Sequence, residues 1–273
     1  MNLTKLPVFL FILSLSSLEF NAQNVNDEKE EIAIKIANPL ANLISVPLQN
    51  NLNINYGLYD RNINVLNIQP VIPFANGRII TRTIVPVVSI PDFANERGME
   101  TTGLGDIVIT GFYVPESKGL VWGAGPVVEF PTGGGIRGSQ KWSAGPSILG
   151  LIQKGDWTFG ALGNNTWSFA GDENRPDVNR MLLNVFLVKQ LGSGWAISSA
   201  PIITADWTAE EGQQWVVPVG LGVSKLMLIG GKFPINVVTQ LYNNVVKPDF
   251  GPEWQFRFQL AFVLDKAMFG IKN

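Results

Sequence analysis

The sequence predicts an all-β protein: an antiparallel up-and-down transmembrane β-barrel of about 12 strands, with a short N-terminal extension or helix. Three observations support this fold class. Long segments alternate apolar and polar side chains, short connections alternate with long ones, and tryptophans recur near the segment ends. Strands of soluble proteins commonly have about 5–6 residues, whereas a tilted strand that spans a bilayer needs about 9–11.

The composition excludes several classes of function. The 273 residues include no Cys and no His, which excludes disulfides, thiolate or imidazole metal sites and catalytic triads. Only 15% of the residues are charged, against about 25% in an average soluble domain. The formal net charge of −2 gives no footprint for nucleic acid. We therefore expect no nucleic-acid partner and no cofactor, and we expect a protein that is not an enzyme.

The first 22 residues resemble a signal peptide. Lys5 precedes the apolar run Leu6–Leu18, and Ala22-Gln23 is the favoured cleavage point. The alternative is a buried N-terminal helix. An export signal places the chain outside the cytoplasm, either as a soluble protein or as a membrane β-barrel.

Residues 23–42 form a predicted periplasmic or plug segment. The acidic cluster Asp27–Glu31 precedes the more apolar stretch Ile32–Ala37. Carboxylates stabilise the N-terminus of a helix, so a short helix is expected here. The alternative is a solvated extension.

Residues 43–264 form the predicted outer-membrane barrel, followed by a tail at 265–273. The last strand is the clearest, because Trp254, Phe256 and Phe258 alternate with Gln255 and Arg257. Twelve segments of this kind are predicted, at residues 43–56, 62–73, 78–90, 104–115, 119–131, 142–153, 156–169, 179–190, 195–206, 213–224, 232–243 and 253–264. Five prolines inside them predict bulges or strand ends, because proline cannot donate to the ladder: Pro126, Pro146, Pro201, Pro218 and Pro234.

The connections and the tryptophans support a bilayer-spanning barrel. With a periplasmic N-terminus, the connections after even-numbered strands are short and most of those after odd-numbered strands are long; Gly57–Arg61 is the exception. Trp157 and Trp167 share a strand face, as do Trp195 and Trp207. Their spacings correspond to a rise of roughly 23–28 Å, close to the apolar band of about 25 Å between aromatic girdles. The alternative is that these tryptophans fill a core.

Charged and amide side chains on the predicted polar faces are the candidate lumen or substrate-path residues. A pair of lumen carboxylates is one route to acid–base catalysis, and pairing with a lumen arginine is the more common structural arrangement. The candidates are Arg82, Asp106, Glu129, Arg180, Asn184, Asp206, Asn236, Gln240, Glu253 and Arg257.

Short motifs along the predicted barrel resemble a family of bacterial outer-membrane proteins. The family was first named for a phenol-degradation meta-pathway gene neighbourhood, and its members are catalogued as "transporter" or "neuromedin U" proteins. The resemblance implies an outer-membrane β-barrel that passes small molecules, among them aromatic or other apolar compounds. The motifs are Asn38–Ser45, Gly103–Ile107, Gly123–Pro126 with Pro131-Thr132, Ala144–Pro146, Trp167–Asp172 and Val217–Gly220.

We therefore expect a porin-like channel or passive transporter in the outer membrane of a Gram-negative bacterium. Its expected partners are outer-membrane lipid, the outer-membrane assembly machinery and a small-molecule solute. The alternatives are a structural or adhesive barrel with a filled lumen whose outer loops bind a partner, a membrane-embedded hydrolase, and a soluble exported β-sandwich.

Overall fold

A computed structural model describes residues 30–264 of the chain. The predicted signal peptide at 1–22 and the predicted tail at 265–273 lie outside the described residues. Residues 30–36 form a short helix, which confirms the predicted helix near the N-terminus. No helix between residues 30 and 264 is both long and apolar enough to cross a bilayer.

Twelve antiparallel strands follow the helix, and three of them are interrupted once. They are β1 (Ile44–Tyr56), β2 (Arg61–Ile68 and Val71–Phe74), β3 (Ile79–Pro91), β4 (Glu100–Leu104 and Ile107–Tyr113), β5 (Leu120–Phe130), β6 (Lys141–Lys154), β7 (Trp157–Gly171), β8 (Asn179–Gly192), β9 (Trp195–Ser199 and Ile202–Asp206), β10 (Trp215–Ile229), β11 (Phe233–Val246) and β12 (Trp254–Leu264). The predicted fold class and strand number are confirmed.

The sheet closes on itself because β1 pairs with β12. The register runs from Ile44 opposite Leu264 to Ile54 opposite Trp254. Every other strand pairs with its neighbours in the sequence. Closure leaves no edge strand with unpaired backbone groups, which is the condition that an apolar solvent imposes on a β-structure.

Alternation gives the barrel an apolar outside and a mixed interior. On β10, Val219, Leu221 and Val223 are exposed, whereas on β11 Tyr242 and Gln240 are buried. On β12, the outward Phe256 neighbours the buried Arg257. The period-two pattern therefore predicted the two faces correctly on these strands.

The connections and tryptophans mark two ends of the barrel. Short turns lie at one end, at residues 75–78, 114–119, 155–156, 193–194 and 230–232. The connections at the other end are longer except at 57–60, as predicted, and span 92–99, 131–140, 172–178, 207–214 and 247–253. Exposed tryptophans occur at both ends, with Trp122, Trp157 and Trp195 near the short turns and Trp142, Trp167, Trp207 and Trp254 near the long connections.

Prolines disturb the ladders where the sequence predicted disturbance. Pro218 coincides with a register shift between β10 and β11, and Pro201 lies in the interruption of β9. Pro234 is the second residue of β11. Pro126 and Pro146 face each other within continuous strands whose mutual register does not shift, so there the prediction of a bulge or strand end is wrong. Each of these two prolines instead interrupts the pairing on its opposite side, towards β4 and β7 respectively.

The interruption of β9 opens the ladder between β9 and β10. Pairing runs as far as Ser198 opposite Gly222 and resumes at Thr204 opposite Val216. Lumen side chains satisfy the backbone groups released there. The Ala200 N–H donates to the Tyr242 hydroxyl (3.0 Å), and the Ala200 carbonyl accepts from Asn184 Nδ2 (3.1 Å) and Arg257 Nη1 (2.9 Å). Polar lumen residues therefore have a structural role in the barrel wall.

The segment before β1 lies inside the barrel at the short-turn end. Gln153 Nε2 donates to the carbonyl of Ile34 (2.8 Å), and Gln190 Nε2 donates to that of Ala33 (3.3 Å). Leu40 is buried in an apolar cluster contributed by β3, β4, β6, β7 and β8, whose other members are Ile80, Phe112, Leu149, Leu151, Leu162 and Phe186. This cluster fills one side of the lumen.

Candidate functional site

A cavity of about 270 Å³ occupies the lumen beside the N-terminal segment. One part of its wall is apolar and includes Val71, Phe112 and Phe186. Amides, hydroxyls and guanidinium groups form much of the rest. Five of the predicted site residues line this cavity: Arg82, Asn184, Asn236, Gln240 and Arg257.

Arg257 lies at the centre of a network of neutral acceptors. Its side chain is 4% exposed. Nε donates to Asn51 Oδ1 (3.0 Å), and Nη1 donates to Gln240 Oε1 (3.2 Å) as well as to the Ala200 carbonyl. The guanidinium carbon lies 5.1 Å from the centre of the Tyr242 ring, a cation–π distance. The network fixes this positive charge without a carboxylate partner.

Arg82 is a second lumen arginine, on β3. Its Nη2 donates to Gln69 Oε1 (2.5 Å). Neither Arg82 nor Arg257 forms an ion pair with any residue between 30 and 264. The predicted pairing of a lumen carboxylate with an arginine occurs instead at Arg180, which contacts Asp206 on β9.

Three predicted site residues lie nearer the long-connection end. Arg180 Nε donates to Asp206 Oδ2 (3.0 Å). Asp206 also accepts from the backbone and side chain of Thr208. Glu129, on β5, accepts from the Thr166 hydroxyl (3.2 Å). None of these residues lines the 270 Å³ cavity. The structure therefore divides the predicted site residues into separate groups.

The last two predicted site residues contact connections. Asp106 lies between the two parts of β4 and accepts from Gly133 N (2.9 Å), Ser139 N (2.6 Å) and Ser139 Oγ (2.8 Å). It thereby joins the two ends of the connection at 131–140. Glu253 is exposed, and its carboxylate accepts from Asn55 Nδ2 (3.1 Å).

The connection between β7 and β8 contains two aspartates whose hydrogen bonds stabilise the charged form of the side chain. A hydrogen bond from Lys141 is the main cause that lowers the pKa of Asp177 below its ordinary value, and a second comes from Ser168. The pKa of Asp172 is lowered chiefly by hydrogen bonds from the Asn174 backbone and side chain. These contacts order the connection between β7 and β8.

Several cavity residues were missed from the sequence. Gln49, Gln69 and Ser198 line the cavity, and Asn51 and Tyr242 hold Arg257. Gln49 and Asn51 lie on one polar face of a predicted strand, which is a usable signal. Only the register of β1 against β12, in which Asn51 faces Arg257, brings the groups together.

Within residues 30–264, no group of three or more acidic residues is placed to hold a metal ion. No protein-family model matches the chain. No curated protein matches it either. The resemblance to the phenol-degradation family therefore stays a prediction.

Solved structures of outer-membrane proteins share the fold. The chain is similar to the NanC porin, with a TM-score of 0.53 and 9% sequence identity over 81% of this chain and 99% of that one. It is also similar to the COG4313 outer membrane channel from Pseudomonas putida F1, with a TM-score of 0.56 and 15% identity over 81% of this chain and 94% of that one. The chain therefore shares the barrel fold of these two outer-membrane proteins.

Proposed function

We propose that this protein is a channel in the outer membrane of a Gram-negative bacterium and that small molecules cross it passively. The observation that carries the proposal is the closed barrel with an apolar outer face and a cavity of about 270 Å³ lined in part by polar groups. A bilayer requires such a face, and a solute path requires such a lumen. Twelve strands enclose more space than eight but less than the 16–18 of large porins.

In this proposal the N-terminal segment is a removable plug. Its helix is held to the barrel wall by Gln153 and Gln190, which donate to the backbone carbonyls of Ile34 and Ala33. Leu40 adds apolar burial against the wall. The contacts with Gln153 and Gln190 involve the plug backbone, so withdrawal of the helix leaves polar groups that water can satisfy.

Lipid is the partner of the outward face, and the outer-membrane assembly machinery is the expected route of insertion. The cavity wall has an apolar part that includes Ile80 and Phe112. This part favours the proposal that aromatic or other apolar compounds are among the solutes.

A structural barrel with a filled lumen is the second candidate. The apolar cluster around Leu40 and Phe186 favours it, because this cluster closes one side of the interior. The two candidates differ in what happens when the plug is absent: the conductance of a channel increases, whereas a filled barrel still conducts no ions.

Conductance across planar bilayers tests the proposal. The full chain, refolded in detergent, is expected to show small steps, and a variant without Asn24–Asn38 is expected to show larger ones. Glu31→Gln is the matched control, because it removes only the exposed contact with Lys35 and leaves the plug in place. If neither the full chain nor the deletion variant passes ions, and liposomes that contain them do not swell in small solutes, the channel proposal is wrong.

Fractionation tests the location. The protein is expected in the outer-membrane fraction and in solution only with detergent. Recovery of folded protein from the periplasm without detergent would favour a soluble exported protein.

A further inference from the structure

Two arginines face one small cavity without a counter-ion. Arg82 and Arg257 both line it. The third cation in the wall, Lys35, pairs with Glu31. No carboxylate occurs among the lining residues of the described chain. The cavity therefore has an excess positive charge.

Two positive charges in one partly desolvated cavity raise the free energy of the folded protein unless an anion binds between them. Partly desolvated like charges repel, and a guanidinium group that is removed from water needs acceptors. Neutral side chains supply acceptors to Arg257, which explains its fixed position. Arg82 has the Gln69 amide oxygen as its acceptor, and a planar guanidinium group has five donors in all. A structural role in the wall accounts for Arg257, but it does not account for a second positive charge in the same cavity.

The remaining wall specifies the rest of the ligand. Val71, Phe112 and Phe186 contribute apolar surface to the same cavity. An engineered cavity of about 150 Å³ accepts benzene. A cavity of about 270 Å³ therefore has room for a benzene ring with one charged substituent.

We propose that the lumen cavity is a binding site for a small organic anion with an apolar body, such as an aromatic carboxylate. The carboxylate contacts Arg82 and Arg257, and the ring lies against the apolar wall. Charge-assisted bonds from guanidinium groups to a carboxylate are the strong kind, and they give direction as well as attraction. This inference rests on the proposed function insofar as the bound anion is the solute that the channel passes.

Binding and conductance are measured separately to test it. Benzoate is titrated into the detergent-solubilised full chain by calorimetry, with benzyl alcohol as the uncharged probe. Arg82→Gln is the test variant, because Arg82 does not contact the interrupted part of β9. Arg180→Gln is the matched control, because it removes a lumen arginine that forms an ion pair with Asp206 and does not line the cavity.

Wild type and Arg180→Gln are expected to bind benzoate at least about tenfold more tightly than benzyl alcohol, and Arg82→Gln is expected to lose about tenfold in benzoate affinity. In bilayers under a salt gradient, the reversal potential of wild type should indicate anion preference, and Arg82→Gln should shift it towards cations.

Equal affinity for benzoate and benzyl alcohol, or an Arg82→Gln variant that binds benzoate like wild type, overturns the proposed site. Ion conductance without anion preference or benzoate binding overturns this inference and leaves the channel proposal in place. Benzoate binding without conductance supports the site and overturns the channel proposal.

Discussion

Replacing Tyr242 by Phe removes one oxygen atom from the barrel interior and leaves the ring in place. The Tyr242 side chain is 0% exposed, and its hydroxyl accepts the N–H of Ala200 at 3.0 Å. Ala200 lies in the interruption of β9, where the ladder to β10 is open. Its N–H therefore depends on a side chain for a partner.

The expected loss in the free energy of unfolding follows from that N–H. A buried donor left without an acceptor costs about 1–3 kcal/mol. The ring remains against Arg257 at 5.1 Å, so packing and the cation–π contact are retained. The cavity also borders Ala200, and a water molecule that enters from it lowers the cost. We therefore expect Tyr242→Phe to lower the free energy of unfolding by about 1–2 kcal/mol.

The assay is equilibrium unfolding in urea of barrels refolded in lipid vesicles, monitored by tryptophan fluorescence. Tyr113→Phe is the matched control, because that tyrosine is 56% exposed on β4 and is expected to change the free energy by less than about 0.5 kcal/mol. If both variants unfold at the same urea concentration, the Tyr242 hydroxyl does not stabilise the interrupted strand and the reasoning is refuted.

Three further predictions concern the wall and the connections. A Cβ at Gly145 would lie 1.7 Å from the Asn165 carbonyl oxygen, so Gly145→Ala is expected to cost at least about 1–3 kcal/mol in the same unfolding assay. Gly163→Ala, whose Cβ meets nothing nearer than 3.8 Å, is its control, and equal stability of the two variants would contradict the close contact. Asp106→Ala removes the acceptor of three hydrogen bonds from 133–139 and should speed tryptic cleavage after Arg137 by roughly 10–100-fold; an unchanged rate means that other contacts order the connection. Because the folded pKa of Asp177 lies below the ordinary value of 3.8, its stabilising contact is complete above that pH and is lost as the pH falls through the folded pKa. Lys141→Met should move the Asp177 midpoint up towards 3.8 in an NMR titration of the carboxyl carbon, and an unmoved midpoint excludes Lys141 as the cause.

The sequence predicted the strands well because alternation is a local property. One apolar and one polar face per strand follow directly from the backbone geometry, so the pattern from Trp254 to Leu264 determined which side chains face outward. Turn lengths and tryptophan positions are local as well. Prolines were predicted less well: Pro201 ends part of a strand, but Pro126 and Pro146 lie in continuous strands, because a proline interrupts only the ladder on its N–H side.

The sequence placed ten candidate residues on polar faces but did not group them. Asp106 and Arg257 look alike in the pattern, yet one joins the ends of a connection and the other lines the cavity. Tyr242 was not predicted as a lumen residue, because an aromatic side chain on a polar face breaks the alternation of apolar and polar residues.

By itself, then, the sequence determined the fold class, the strand number and the face on which most side chains lie, because these depend on neighbours along the chain. The tertiary structure alone decided that Arg82 and Arg257 share a cavity, that Arg180 instead finds Asp206, and that Leu40 enters the lumen. The physical reason is that barrel closure brings together residues more than a hundred positions apart, such as Arg82 and Arg257, and that strand register sets nearer pairs, such as Arg180 and Asp206. A period of two contains no information about either.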